Sequence, residues 1–273
     1  MPAAETLMPS AVLNLMIGAA RKAARQLLRD FGEVEQLQVS RKGPGDFVTA
    51  ADRRAEEIVR DELARARPDY GFLMEESGRH GDGTEQSVWI VDPLDGTTNF
   101  LHGLPHFAIS IALQQAGELV AGLVFDPIKD ELFLAEKGRG AWLNDRRVRC
   151  SARADLPQAV IGCGLPVLDW VGRATFDAQY AAVADHVAGL RRFGVASLDL
   201  AYVACGRFDG FWEIGLKPWD IAAGLVLLRE AGATIKTLES DDPLEGGTLV
   251  VGTIGVQPKL MRLLAGATPA LGE

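Results

Sequence analysis

The stretch Trp89-Ile90-Val91-Asp92-Pro93-Leu94-Asp95-Gly96-Thr97-Thr98-Asn99-Phe100 places two aspartates three residues apart, directly behind a short apolar run. Residues 88–91 (VWIV) read as a buried strand, because β-branched and aromatic side chains favour extended backbone. Pro93 fixes its own φ and keeps the preceding residue extended, so the chain is expected to leave the strand between the two carboxylates. In such a turn Asp92, Asp95 and the Leu94 carbonyl can face one point, three hard oxygens suited to Mg²⁺. Gly96 permits a positive φ or the close approach of a ligand. The amides of Gly96, Thr97 and Thr98 can form an anion-binding nest, above all where a helix begins. The plain alternative is an Asx-type turn capped by Asp95, with no ligand at all.

Outward from this stretch the chain has two rhythms. Val12, Leu13, Met16, Ile17, Ala20, Ala24, Leu27 and Leu28 recur at helical spacing and predict a first amphipathic helix. "KGPGD" (42–46) reads as a loop, and Thr49 is expected to open a second helix that buries Ala55, Ile58, Val59 and Leu63. Residues 106–148 read as an antiparallel meander of "FAISIAL", "ELVAGLVF" and "ELFLAE", joined by turn residues. From about Ala159 strands and helices alternate, which predicts an α/β half. The join "RVRCSARADLPQ" (147–158) is polar and holds a proline, so residues 1–150 and 151–273 are expected to form two halves with a site between them.

Composition narrows the function classes. With 48% hydrophobic and 24% charged residues over 273 positions, the chain is an ordinary globular one. A net charge of −9 argues against nucleic acid as the main partner, since that needs a basic footprint. Three cysteines without a C-x-x-C suggest neither a disulfide framework nor a thiolate zinc site, and fit a reducing cytoplasm. No apolar run approaches membrane-spanning length.

Other acids have bland readings when taken alone. Glu75 and Glu76 in "LMEESG" read as solvated surface, Asp220 in "KPWDIAAG" as a partner of a helix dipole, and Asp52 in "TAAD" as the end of a capping box. Together and in this order, "GPGDFVTAAD", "GFLMEES", "WIVDPLDGTTNF" and "GLKPWDIAAGLVLLREAGA" resemble the inositol monophosphatase family of metal-dependent phosphatases over nearly the whole chain. Haloacid-dehalogenase phosphatases place only one residue between their aspartates and do not fit.

The resemblance implies a layered αβαβα sandwich and a phosphomonoesterase that hydrolyses myo-inositol monophosphate with two to three Mg²⁺ ions. One ion would be held by Glu75, Asp92 and the Leu94 carbonyl, a second by Asp92, Asp95 and Asp220, and a third by Glu75 or Glu76. The nucleophilic water would lie near Glu75 and the Thr97 hydroxyl, with Asp52 orienting that hydroxyl. Gly96 and Thr97 would hold phosphate through their amides. Glu213, the backbone at Ala196, Asp95 and Asp220 would meet the substrate, and Lys42 would belong to a segment that closes on it. The resemblance also implies a homodimer, lithium sensitivity and a cytoplasmic location. Lys217-Pro218 before Trp219 departs from the animal pattern, which loosens inositol specificity, and Thr98-Asn99 stands where nucleotide bisphosphatases carry Lys-Glu. Histidinol phosphate, fructose 1,6-bisphosphate and a nucleotide 3'-phosphate stay open as substrates, and a non-catalytic dimeric scaffold stays open as another class. His102, His106, Trp89, Trp142 and Trp212 are expected to be structural.

Overall fold

Helix α1 (Ala11–Gly32) starts where the Ser10 side chain accepts the Leu13 amide, and it buries Leu13, Met16, Ala20, Ala24 and Leu27 along one stripe. The computed structural model describes residues 8–33, 39–43, 46–81, 86–165 and 173–267, with backbone alone for 39–43 and 46–49. Strands β1 (Val39–Gly43) and β2 (Asp46–Thr49) pair antiparallel where a loop was expected, and residues 44–45 lie outside the described residues. Helix α2 (Ala50–Ala66) follows, with Asp52 among its buried residues.

Strands β3 (Gly71–Met74), β4 (Gly78–His80), β5 (Ser87–Asp95), β6 (Ala108–Gln115), β7 (Glu118–Asp126), β8 (Glu131–Glu136), β9 (Ala141–Leu143) and β10 (Arg146–Val148) form an eight-stranded sheet, with the short helix α3 (Thr97–Leu101) directly after β5. The expected meander is its β6–β7–β8 portion. Strand β5 does not stop at Val91 as expected. It continues to Asp95, and its ladder to β6 skips from Asp92↔Ser110 to Asp95↔Ala108. Pro93 has no N–H to donate, so the irregular step falls where the ladder would otherwise break.

The second sheet contains β11 (Val160–Cys163), β12 (Gly189–Arg191), β13 (Gly210–Ile214), β14 (Thr234–Thr237) and β15 (Thr248–Gly252), ordered β12-β11-β13-β15-β14. It is mixed rather than wholly parallel: β11 lies parallel to β12 and β13, whereas β15 runs antiparallel to β13 and β14. Helices α4 (Arg173–Ala184), α5 (Ala196–Ala204), α6 (Pro218–Ala231) and α7 (Gln257–Ala267) complete the chain.

Alternation along the strands sorts the layers. Trp89 and Val91 join α1 and α2 in one core, while Val88 and Ile90 join α5 and α6 in another. Phe211, Leu249 and Val251 face that same middle layer, and Trp212 and Val250 face Phe176 of α4 and Leu260 of α7. The order is therefore α1/α2, first sheet, α5/α6, second sheet, α4/α7, the layered αβαβα sandwich that the sequence motifs implied. Helix α6 lies between two sheets, which is why Ile221 to Leu228 are all buried and the helix has no polar face. It also packs close to strand backbone, since a Cβ at Gly122 of β7 would meet the Ala223 carbonyl at 2.6 Å.

Candidate active site

Three aspartates, two at the end of β5 and one in the first turn of α6, each have one carboxylate oxygen pinned by a backbone amide. Asp92 Oδ1 accepts the Leu94 amide at 2.9 Å, Asp95 Oδ2 accepts the Ser197 amide at 2.7 Å, and Asp220 Oδ2 accepts the Lys217 amide at 2.7 Å. The first of these is an Asx turn, made by Asp92 rather than Asp95. Local turn chemistry and site geometry thus use the same residue. Pinning one oxygen sets the direction of the other, and so fixes the orientation of each carboxylate toward its neighbours.

Glu75 follows β3, whose parallel pairing with β5 brings it alongside Asp92; its amide donates to the Val91 carbonyl at 3.2 Å. Glu76 stands next to it, its amide donating to Glu56 Oε2 at 2.9 Å. Thr97 opens α3, and its hydroxyl lies 2.9 Å from Asp52 Oδ1 and 3.1 Å from the Leu94 carbonyl. With its single proton shared between those acceptors, Thr97 Oγ1 presents lone pairs to anything on its other side. Gly96 has φ 95, the left-handed conformation its position called for, and a Cβ there would meet Val195 Cγ2 at 2.8 Å.

Burial and mutual charge act on every acid of the cluster in the same direction. Burial pushes the Asp92 carboxyl well above its ordinary range, and the charges of Glu75, Asp95 and Asp220 push it further in the same direction. Burial lifts Asp95 to about 6 despite the hydrogen bonds from Ser197. Asp220 is lifted to about 8 by burial and then by the charge on Asp95. Glu213, at the end of β13, is raised by burial and by Asp199, Asp220 and Asp95. Acids that raise one another's pKa in this way are the complement of a cation.

The donors fit a hard divalent ion. All are oxygens, and the Leu94 carbonyl, which has two lone pairs, spends one on Thr97. Among the described residues no group of three or more His, Cys, Asp or Glu side chains is arranged so that it could hold a metal ion. Carboxylate and carbonyl oxygens are the ligand type that Mg²⁺ takes, with water and phosphate oxygens completing its shell.

The structure also places residues that the sequence had not singled out. The Ser197 amide that holds Asp95 comes from α5, on the far side of residue 150. Asp199, two residues on, is 1% exposed, its Oδ1 has no hydrogen-bond partner, and its carboxyl is raised by burial and by Asp95. A single acid in the apolar run "ASLDLAYVA" was the available signal. Asn99 Nδ2 donates to the carbonyls of His106 and Phe193, both at 2.9 Å, and so ties α3 to the loop that leads into Ala196. Lys42 lies in β1, and its side chain is outside the described residues. His102 and His106 do not join the acids: His102 Nδ1 lies 2.9 Å from the Thr98 carbonyl and His106 Nδ1 lies 3.1 Å from Lys129 Nζ. Trp89 and Trp212 are fully buried and Trp142 nearly so, as core residues.

Comparison with known proteins places this arrangement in a lineage. A family model described as "Inositol monophosphatase family" matches residues 8–272. An inositol-1-monophosphatase of Mesorhizobium japonicum is 54% identical over 93% of this chain and 96% of its own. A protein of Escherichia coli named "Nus factor SuhB" is 44% identical over 82% of this chain and 84% of its own. The crystal structure of the extragenic suppressor protein suhB from Bartonella henselae superposes with a TM-score of 0.90 at 53% identity, covering 93% of this chain and 98% of that one. The chain belongs to the inositol monophosphatase family of phosphatases.

Proposed function

We propose that the protein is a Mg²⁺-dependent phosphomonoesterase that converts myo-inositol monophosphate to inositol and phosphate by attack of water. The observation that carries this reading is the group of mutually repelling acids, Glu75, Asp92, Asp95 and Asp220, beside the Gly96-Thr97 turn. Two to three ions would be held by Glu75, Asp92 and the Leu94 carbonyl, by Asp92, Asp95 and Asp220, and by Glu75 or Glu76. Bound there, they supply charge for the phosphate oxygens and the departing alkoxide, and lower the pKa of water.

The chain's own groups do the rest. Asp52 draws the Thr97 proton toward itself, so Thr97 Oγ1 accepts a hydrogen bond from the attacking water and aims its lone pair at phosphorus. Glu75 takes the proton that the attacking water gives up as its bond to phosphorus forms, and the departing alkoxide is protonated by water as the bridging P–O bond breaks. The amides of Gly96 and Thr97 hold the phosphate oxygens at the start of α3. Glu213, the Ala196 backbone, Asp95 and Asp220 meet the alcohol, and Lys42 belongs to a segment that closes over it. The site lies between the halves 1–150 and 151–273. Inositol is favoured by relatives named for it at 54% identity. Hydrolysis of a panel of inositol, sugar, nucleotide and amino-alcohol phosphates, histidinol phosphate and fructose 1,6-bisphosphate included, tests the choice of alcohol. A best substrate outside the inositol phosphates would replace that part of the reading.

A second role is favoured by relatives named Nus factor at 42–44% identity: a partner in a protein assembly, independent of turnover. We further propose a cytoplasmic, lithium-sensitive homodimer. Exposed Leu104 and Phe193, both bonded to Asn99, offer an apolar surface for a second copy. A cellular phenotype that survives an inactive variant would support the assembly role.

A further inference from the structure

We propose that Gly164 is a specificity-determining position: the side chain it lacks is the space in which the Glu213 carboxylate lies, beside Asp199, where the two acids read the hydroxyls of a polyol leaving group. The inference rests on the phosphatase reading above, with Glu213 on the alcohol side of the site.

The geometry is steric. A Cβ on Gly164 would fall 1.7 Å from Glu213 Cδ and 2.0 Å from each carboxylate oxygen, so the two cannot coexist. No left-handed φ requires glycine here, unlike Gly96; the constraint is space alone. The backbone at 164 has little freedom to yield. Cys163 pairs with Trp212 in the β11–β13 ladder, and the Gly164 amide donates to the Trp212 carbonyl at 3.3 Å. Glu213 is the group that would give way, since its carboxylate is the far end of a rotatable side chain.

Asp199 gives that placement a purpose. It is 1% exposed, and Oδ1 has no partner among the described residues. A buried oxygen of this kind is normally satisfied by a donor, and the hydroxyls of a bound polyol would supply one. Helix α5, which carries Asp199, packs against β13, which carries Glu213; the charge on Asp199 bears on Glu213, and that on Asp95 bears on both. Asp95 would therefore connect the acid pair to the phosphate end of the substrate. An alcohol with adjacent hydroxyls can donate to both acids, whereas a phenol leaving group cannot.

The test compares kcat/KM for myo-inositol 1-phosphate with that for p-nitrophenyl phosphate, whose leaving group has no further hydroxyl. Gly164→Ala is expected to lower the first at least tenfold more than the second, through KM. In a Glu213→Ala background, where no carboxylate remains to be displaced, the same substitution should leave the ratio unchanged. Equal loss on both substrates, or a full additive effect in the Glu213→Ala background, overturns the proposal. If Gly164→Ala fails to fold, the double variant decides: recovery of the fold supports the contact, and continued failure refutes it. A wild-type protein inactive on both substrates would instead refute the phosphatase reading, leaving the two failures distinguishable.

Discussion

The Ser197 amide donates to Asp95 Oδ2 over 2.7 Å, joining helix α5 to the last residue of strand β5 across 102 positions of sequence. A carboxylate that begins as a strand terminus is thus oriented by the start of a helix in the middle layer. Asp95→Asn keeps the shape but removes a charge from the cluster, so hydrolysis should fall at least about a hundredfold, the order that loss of one group stabilising the transition state costs. The same variant should melt no lower than wild type in chelator, because it relieves repulsion. A steady-state assay and a melt separate the two effects, and near-wild-type turnover would remove Asp95 from the mechanism.

The raised carboxyls make metal-free stability depend on pH with a definite sign. Asp220, at about 8 when folded against an ordinary 3.8, holds a proton that the unfolded chain has released. Unfolding therefore releases protons, and stability falls as pH rises through that window. His106, lowered to about 4 by burial, has the opposite slope but only below its ordinary 6.5, and burial raises all three cysteines, which adds a slope of the same sign toward pH 8.5, so Asp220→Asn is the variant that separates the acid's share. In EDTA the melting temperature should drop from pH 6.5 to 8.5, and added Mg²⁺ should raise it more at pH 8.5 than at 6.5. Asp220→Asn should flatten the slope, and a melting temperature that climbed in EDTA would contradict the charge assignment.

Thr97→Val deletes the donor to buried Asp52 and to the Leu94 carbonyl. The expected cost is about 1.5–3 kcal/mol of stability, the range for a hydrogen bond to a charged group, together with a large fall in kcat. Thr97→Ser restores the hydroxyl and should recover most of both. Denaturant unfolding and kcat measured on the three proteins check it.

Much of this was legible beforehand, for local reasons. The positive φ that Gly96 permits, and the closeness of the Asp92 and Asp95 carboxylates along the chain, sit within five consecutive residues, so sequence displays them directly. Trp89 and Trp212 showed their burial through strand periodicity. Other features depend on pairing partners far away. The extension of β5 past Pro93 depends on β6 resuming the ladder at Ala108. The antiparallel β15 depends on the connection through β14, and helix α7 went unnoticed because "QPKLMRLLAGA" follows a turn without a strong start signal. Asp199 showed only as a single acid in an apolar run, for the same reason. An acid in an apolar helix and a glycine after a strand acquire meaning only when Asp95 and Glu213 stand against them.

A buried acid away from the site supplies a contrast. Asp209 accepts from Ser151 Oγ at 2.5 Å, Arg153 Nε at 3.0 Å and the Val160 amide at 2.9 Å, tying the polar join to the second sheet. Asp209→Ala should cost about 2–3 kcal/mol, because several hydrogen bonds to one buried charge are lost while Arg153 keeps access to water. KM at a temperature where the variant is folded should not move. A changed KM with unchanged stability would place Asp209 in the site instead.

The central claim, that the repelling acids exist to bind Mg²⁺ for phosphate ester hydrolysis, is tested most directly by titrating Mg²⁺ into chelated protein while following phosphate release from myo-inositol 1-phosphate. The account predicts no turnover in chelator, a saturable rise with Mg²⁺, and loss of that rise in Asp92→Asn. Turnover that persists in chelator, or survives Asp92→Asn with an unchanged Mg²⁺ requirement, would contradict it.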